Sequence, residues 1–314
     1  MARKIIYLIN PISGTHGKSS LKELISRRSL ERKIDFSILS TRADGDYSFL
    51  LPLIEKERVT DIVICGGDGT VSAVAAALTG SNTRIGIIPM GSGNGLAFAA
   101  GIPKQANKAL DIIFDGQASA IDGLTINGRF SCMLCGIGFD ATVAHAFARE
   151  TKRGLQTYIR VALANFFRSR AYPFGIRIPP LPGETEDHFF PVDAFFISIA
   201  NGNQFGNHVT IAPKASLHDG LLDIVILKKG SKLGMMVAAI RQVLGGNPLQ
   251  GIPDRAGRGS VLYFQTPHLR ILNGQEAPLH IDGDPKPTAK EFIIRIVPHA
   301  FQLIQPAPAT RVNP

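Results

Sequence analysis

Tryptophan is absent from this chain of 314 residues, and cysteine occurs three times. Three cysteines cannot build a disulfide framework, and so sparse a set suits a reducing cytoplasm. Cys132 and Cys135 do make a C-x-x-C. They lie in 130–137, which reads as a strand, where residues three apart point to opposite faces. No second cysteine pair exists to complete a zinc site. Long apolar runs are also missing: Gly234–Ile240 is far too short to cross a bilayer. The N-terminus lacks a signal-peptide pattern, since Lys4 is followed by only five apolar residues before Asn10. A cytoplasmic protein is expected, with any membrane contact peripheral. Neither H-E-x-x-H nor G-x-S-x-G occurs, which leaves zinc hydrolysis and a serine triad without support. Aromatic residues make up 7% and form no clustered stacking motif, so nucleic-acid binding would rest on charge alone and is not expected.

What is present describes a globular protein, with 45% apolar and 19% charged residues. The length suffices for two domains. The formal charge of +9 favours anionic partners such as nucleotides or acidic lipid surfaces. That excess reads as scattered, in short groups such as Arg27-Arg28, Lys152-Arg153 and Lys228-Lys229.

The first third alternates strand-like and helix-like segments. Strands are expected at 5–9, 36–39, 62–64 and 85–88, and helices at 19–29, 47–56, 71–78, 96–100 and 105–114. Such alternation implies a three-layer α/β domain, a parallel sheet covered by helices, over 1–121. Ligands of such sheets bind at the carboxyl ends of the strands. Near residue 120 the texture changes. Residues 120–126 and 129–136 read as strands around a tight Asn127-Gly128 turn. Further strand candidates are 174–178, 194–200, 222–227, 261–265, 269–272, 279–281 and 292–297. Helical candidates at 141–147, 158–168 and 233–244 interrupt them. A second, mainly antiparallel, β-rich domain is expected over 122–299.

The chemistry-bearing segments sit in the loops after the strands. Cys65-Gly66-Gly67-Asp68-Gly69-Thr70 joins an apolar strand to a helix beginning Val71-Ser72-Ala73. Glycines there let backbone approach a ligand, and the helix N-terminus offers N–H groups to a phosphate. Asp68 would repel phosphate, so polarising a hydroxyl or holding Mg²⁺ is its expected task. Pro89-Met90-Gly91-Ser92-Gly93-Asn94-Gly95 makes a second Gly-rich strand-to-helix turn. Two such turns on neighbouring strands can surround a triphosphate with donors. Asn10-Pro11-Ile12-Ser13-Gly14 follows the first strand and Thr41 the second. Gly17-Lys18-Ser19 fails as a Walker loop, because Ile12 stands where its first glycine is needed. Asp140 is either a helix cap or a substrate contact. Asp219-Gly220 is either a turn or a carboxylate for a hard cation. Ile281-Asp282-Gly283-Asp284 places two carboxylates in a late turn, where one could take a proton from a substrate hydroxyl.

Taken in order, Asn10–Gly14, Thr41, Gly66–Thr70, Gly91–Ala97, Gly136–Ala141, Asp219-Gly220 and Asp282–Asp284 resemble the diacylglycerol kinase catalytic-domain family, which includes the sphingosine and ceramide kinases. G-G-D-G-T alone is shared with NAD kinases. The resemblance implies an ATP site between an α/β domain and a β-rich domain, with the chain end at 300–310 returning to the first. It implies ATP contacts from Asn10, Pro11, Ile12, Ser13, Gly14, Thr41, Gly66, Gly67, Asp68, Gly69, Thr70, Val71, Ser72, Ala73, Gly91, Ser92 and Asn94. It implies a Mg²⁺ site at Asp219 with the carbonyls of Ser216 and Leu221, and Asp284 as proton acceptor with Asp68 assisting. The family usually has glutamate where this chain has Asp284, and Asn-Glu where it has Ser72-Ala73. The expected activity is phosphate transfer from ATP to a lipid hydroxyl at an anionic membrane. A soluble-acceptor phosphotransferase like NAD kinase and a non-catalytic nucleotide- or lipid-binding regulator are the alternatives. The oligomeric state is left open, a homodimer being one form.

Overall fold

The computed structural model describes residues 3–11, 18–151, 154–180, 185–206, 209–252 and 259–307. It divides into two compact units. One is built from the chain up to Ile121 and from His299 onward, the other from Asp122–Pro298.

In the first unit, strands and helices alternate as β1 (Lys4–Ile9), α1 (Lys18–Glu31), β2 (Asp35–Ser40), α2 (Leu50–Glu57), β3 (Asp61–Gly66), α3 (Asp68–Ala77), β4 (Arg84–Pro89), α4 (Gly95–Ala99) and α5 (Ala106–Asp115). The strands run parallel in the order β4-β3-β1-β2. Ile5, Ile6, Leu8, Ile62, Val63 and Ile64 are fully buried, as a parallel sheet covered on both faces requires. The register aligns the carboxyl ends: Ile9 lies opposite both Ser40 and Cys65, and Gly66 opposite Pro89. Asn10, Thr41, Gly67 and Met90 therefore all leave the sheet at one end. At its other end, buried Asp61 accepts from Arg3 Nε at 2.8 Å and Arg84 Nη2 at 2.9 Å.

The second unit is mainly antiparallel. Its elements are β5 (Gln117–Ile126, entering from the first unit), β6 (Arg129–Ser131), β7 (Leu134–Gly138), α6 (Phe139–Ala148), α7 (Leu155–Phe166), β8 (Tyr172–Ile178), β9 (His188–Ala200), β10 (Gln204–Gly206), β11 (Val209–Thr210), β12 (Leu222–Lys228), α8 (Lys232–Val243), β13 (Val261–Thr266), β14 (His268–Leu272), β15 (Leu279–Ile281), β16 (Asp284–Lys286) and β17 (Glu291–Gln305). The long strand β9 organises it, pairing with β8 and β7 along successive halves of one edge and with β12 along the other. Ile137, Ile176, Ile197, Ile199, Ile224 and Phe264 belong to its buried core.

Two strands differ from expectation. The strand anticipated over 129–136 is broken at Cys132-Met133, where three successive N–H groups turn to a side chain instead of a neighbouring strand. The strand anticipated over 292–297 runs on to Gln305. It pairs antiparallel with β14 as far as Arg295 and parallel with β4 from Gln302, and β5 also pairs with it.

Candidate active site

The two Gly-rich loops of the first unit touch backbone to backbone. A Cβ on Gly91 would stand 2.7 Å from the Cα of Gly67, and a Cβ on Gly67 would stand 3.1 Å from the Cα of Gly91. Met90 donates its N–H to Gly66 O at 2.9 Å, and Asn10 donates its backbone N–H to Cys65 O at 3.0 Å. Asn10 Nδ2 also donates to Thr70 Oγ1 at 3.1 Å, and Thr41 donates its N–H to Ile9 O at 3.0 Å. Asn10, Thr41 and the turns after β3 and β4 thus meet along one rim.

Gly67 is the N-cap of α3, and Asp68 is its first residue. The Val71 N–H already bonds Gly67 O at 3.1 Å, so the donors free of this helical pairing precede it. The Val71 side chain is 3% exposed and Ser72 is buried, so both contribute through the backbone or the core. Ala73 is half-buried and Ser92 is exposed. Asn94 adopts the left-handed conformation at φ 55°. Its Oδ1 accepts from the Gly91 N–H and its Nδ2 donates to Gly91 O, both at 2.8 Å. Asn94, expected as a nucleotide contact, thereby closes its own loop. Pro11 follows Asn10 and is exposed, whereas Ile12, Ser13 and Gly14 lie outside the described residues.

In the second unit, Asp282 and Asp284 sit in different surroundings. Asp282 (φ 48°) and Gly283 (φ 82°) form the turn between β15 and β16, the left-handed pair that a tight hairpin requires. The Asp282 carboxylate accepts from Ser131 Oγ at 2.8 Å and from the N–H groups of Cys132, Met133 and Leu134 at 3.3, 3.1 and 3.1 Å. It is the anion that breaks the strand there. Asp284 begins β16, is exposed, and has Lys286 Nζ at 3.8 Å.

Asp140 is 8% exposed, and its Oδ2 lies 3.0 Å from Nε2 of buried His280, although the ring N–H is not well aligned on it. The other ring nitrogen, Nδ1, accepts the Gly283 N–H at 3.2 Å. Asp140, read as a helix cap or a substrate contact, is thus buried against His280. A Cβ on Gly136 would fall 2.1 Å from Asp140 Oδ2 and 2.3 Å from His280 Nε2, so glycine there makes room for the pair. Sequence reasoning missed His280, because its partners converge only through strand pairing.

A third group surrounds Asp219. Its Oδ1 accepts from the Leu221 N–H at 3.1 Å, and Gln265 Nε2 stands 3.4 Å from its Oδ2 and 3.0 Å from Asp223 Oδ2. Tyr263 donates its hydroxyl to Asp223 Oδ1 at 2.6 Å, and Gly220 donates its N–H to Asp122 Oδ2 at 2.8 Å. Burial, followed by repulsion from Asp219, pushes the Asp223 carboxyl up to about 6. Burial and repulsion from Asp122 likewise raise Asp219. Crowded carboxylates of this kind suit a cation. Among the described residues no group of three His, Cys, Asp or Glu side chains could hold a metal. A hard cation here would need backbone carbonyls, as from Ser216 and Leu221, which oxygen-seeking Mg²⁺ accepts.

A parallel α/β unit with two joined Gly-rich turns and an antiparallel unit with a carboxylate hairpin fit a phosphotransferase. The comparisons agree. Residues 4–126 match the diacylglycerol kinase catalytic domain, and residues 134–305 match the YegS C-terminal NAD kinase beta sandwich-like domain. The chain belongs to this diacylglycerol kinase family and is a kinase. It is 27% identical over 288 residues to a probable lipid kinase YegS-like from Xanthomonas oryzae pv. oryzae, covering 88% of each chain. It is 28% identical over 288 residues to another of that description from Stenotrophomonas maltophilia, covering 87% of this chain and 88% of that one. A crystal structure of a diacylglycerol kinase from Bacillus anthracis str. Sterne superposes with a TM-score of 0.72 over 98% of each chain, at 19% identity, which supports the fold.

Proposed function

We propose that this chain is an ATP- and Mg²⁺-dependent lipid kinase that transfers the γ-phosphate to a hydroxyl of a diacylglycerol or sphingoid-type lipid. The observation that carries the reading is the backbone contact between Gly67 and Gly91 at the carboxyl ends of β3 and β4. It joins two Gly-rich turns and the N-terminus of α3 into one cradle, the arrangement that collects N–H donors around phosphates.

In this reading Asn10, Pro11, Thr41, Gly66–Ala73, Gly91, Ser92 and Asn94 hold the nucleotide, with Ile12, Ser13 and Gly14 assigned by their place in the motif. Asp68 holds metal or acceptor. Mg²⁺, when bound, offsets charge on the β- and γ-phosphates. Asp284 orients the lipid hydroxyl and takes its proton as the oxygen attacks γ-phosphorus and the bond to the β-phosphate oxygen breaks. Positioning and electrostatics supply most of the acceleration. Asp219, with the carbonyls of Ser216 and Leu221, holds a second, structural cation.

Calorimetric titration of ATP into the protein with Mg²⁺ tests the nucleotide half. The wild type binds ATP. Gly91→Ala, which forces a Cβ against Gly67, weakens binding by about tenfold or more, as expected when a close backbone approach is lost. A wild type that fails to bind ATP would overturn the reading, and a variant that binds equally well would remove the cradle from it.

A further inference from the structure

Thirteen large apolar residues are exposed among the described residues, and eight of them lie in two stripes. Leu155, Ile159, Leu163 and Phe167 follow one another at four-residue steps along α7 and its end. Leu233, Val237, Ile240 and Leu244 follow at steps of four, three and four along α8 and its end. Each set forms one face of a helix. Exposure within the stripes runs from 37% to 80%, so neither face is covered by the rest of its unit. The opposite faces are anchored: Val161 of α7 and Met235 and Gln242 of α8 are buried.

The two helices are tied together. Lys232, the first residue of α8, donates through Nζ to Phe166 O and Ser169 O, both at 2.6 Å, at the end of α7. Its ammonium also sits 4.7 Å from the Phe195 ring centre and 5.2 Å from that of Phe166.

The charge of these segments is one-sided. Residues 149–170 contain Arg149, Lys152, Arg153, Arg160, Arg168 and Arg170 against the single acid Glu150. Residues 228–250 contain Lys228, Lys229, Lys232 and Arg241 and no acid. Ten cations against one acid give +9, the formal net charge of the whole chain. The cationic excess, expected to be scattered, is concentrated on the two segments with the bare apolar stripes.

We infer that the exposed faces of α7 and α8 are the surface by which this protein docks on an anionic lipid bilayer. The inference rests on the lipid-kinase reading for its purpose, but not for its test. Apolar stripes flanked by lysine and arginine bury side chains at the headgroup boundary while the cations meet anionic lipid. Self-association through these faces would set the same cationic surface against itself, which like-charge repulsion opposes.

The test is co-sedimentation with vesicles of phosphatidylcholine alone or mixed with phosphatidylglycerol, at low and high salt. It needs no turnover, so it succeeds or fails independently of the acceptor. The wild type binds the mixed vesicles and not the neutral ones. Leu163→Gln combined with Ile240→Gln, one change in each stripe, lowers partitioning by about tenfold or more, the scale set by two apolar side chains no longer entering the lipid. Melting temperature and ATP binding of this variant match the wild type. Unchanged vesicle binding by the variant overturns the inference, and so does a wild type that ignores mixed vesicles. A wild-type dimer that the same two changes convert to a monomer also overturns it.

Discussion

Replacing Asp284 by alanine lowers kcat for lipid phosphorylation by about 10²–10⁴, the range over which a positioned general base contributes, and leaves ATP binding unchanged. Asp284 is exposed, and Lys286 Nζ lies 3.8 Å from it. Surface changes of this kind shift stability by about 0.5 kcal/mol or less, so lost activity reports chemistry and not unfolding. Asp284→Glu restores the methylene usual in the family and retains activity far above the alanine variant. Steady-state kinetics on the three proteins, with melting curves in parallel, check this. Full activity in Asp284→Ala would remove the residue from the mechanism.

Replacing Asp282 by alanine has the opposite signature, a loss of stability first. The carboxylate serves Ser131 Oγ and three backbone N–H groups. Cys132, Met133 and Leu134 are at most 4% exposed, so little water can replace it. Stranding such donors costs about 3–5 kcal/mol, since each hydrogen bond to a charged group is worth about 1.5–3 kcal/mol. Alanine also fits poorly at φ 48°. A melting temperature lower by about 10 °C follows for a unit of this size. Asp282→Asn keeps one acceptor oxygen and tolerates the left-handed backbone, so it loses less. Equal melting curves for wild type and Asp282→Ala would show that the strand break does not depend on this carboxylate.

The contrast between these two aspartates shows where sequence reasoning stops. The Asp282-Gly283-Asp284 turn is legible because few patterns place two carboxylates about a glycine after an apolar strand. Its division of labour is not, because the partners of Asp282 lie 148–151 residues earlier in the chain. The interruption at Cys132-Met133 is equally hidden: no proline or glycine marks it, and its cause is that distant carboxylate. His280 belongs to the same class, because it meets Asp140 only when β15 pairs with β7. The parallel sheet was readable because β1, β3 and β4 are near-continuous apolar runs, each followed by turn residues. The extent of β17 was not, because Pro298 is a stop signal unless the strand changes partners around it. Asn94 was visible as a polar residue in a phosphate-type loop, yet only its two bonds to Gly91 show that its amide shapes the loop.

The most direct measurement is transfer of label from γ-labelled ATP, with Mg²⁺, to a detergent-dispersed panel. The panel holds diacylglycerol, monoacylglycerol, phosphatidylglycerol, sphingosine and ceramide, with NAD as a soluble control. The account predicts label in a lipid, none in NAD, and its loss with Asp284→Ala. Label in NAD alone, or none in any acceptor by a protein that binds ATP, would contradict it.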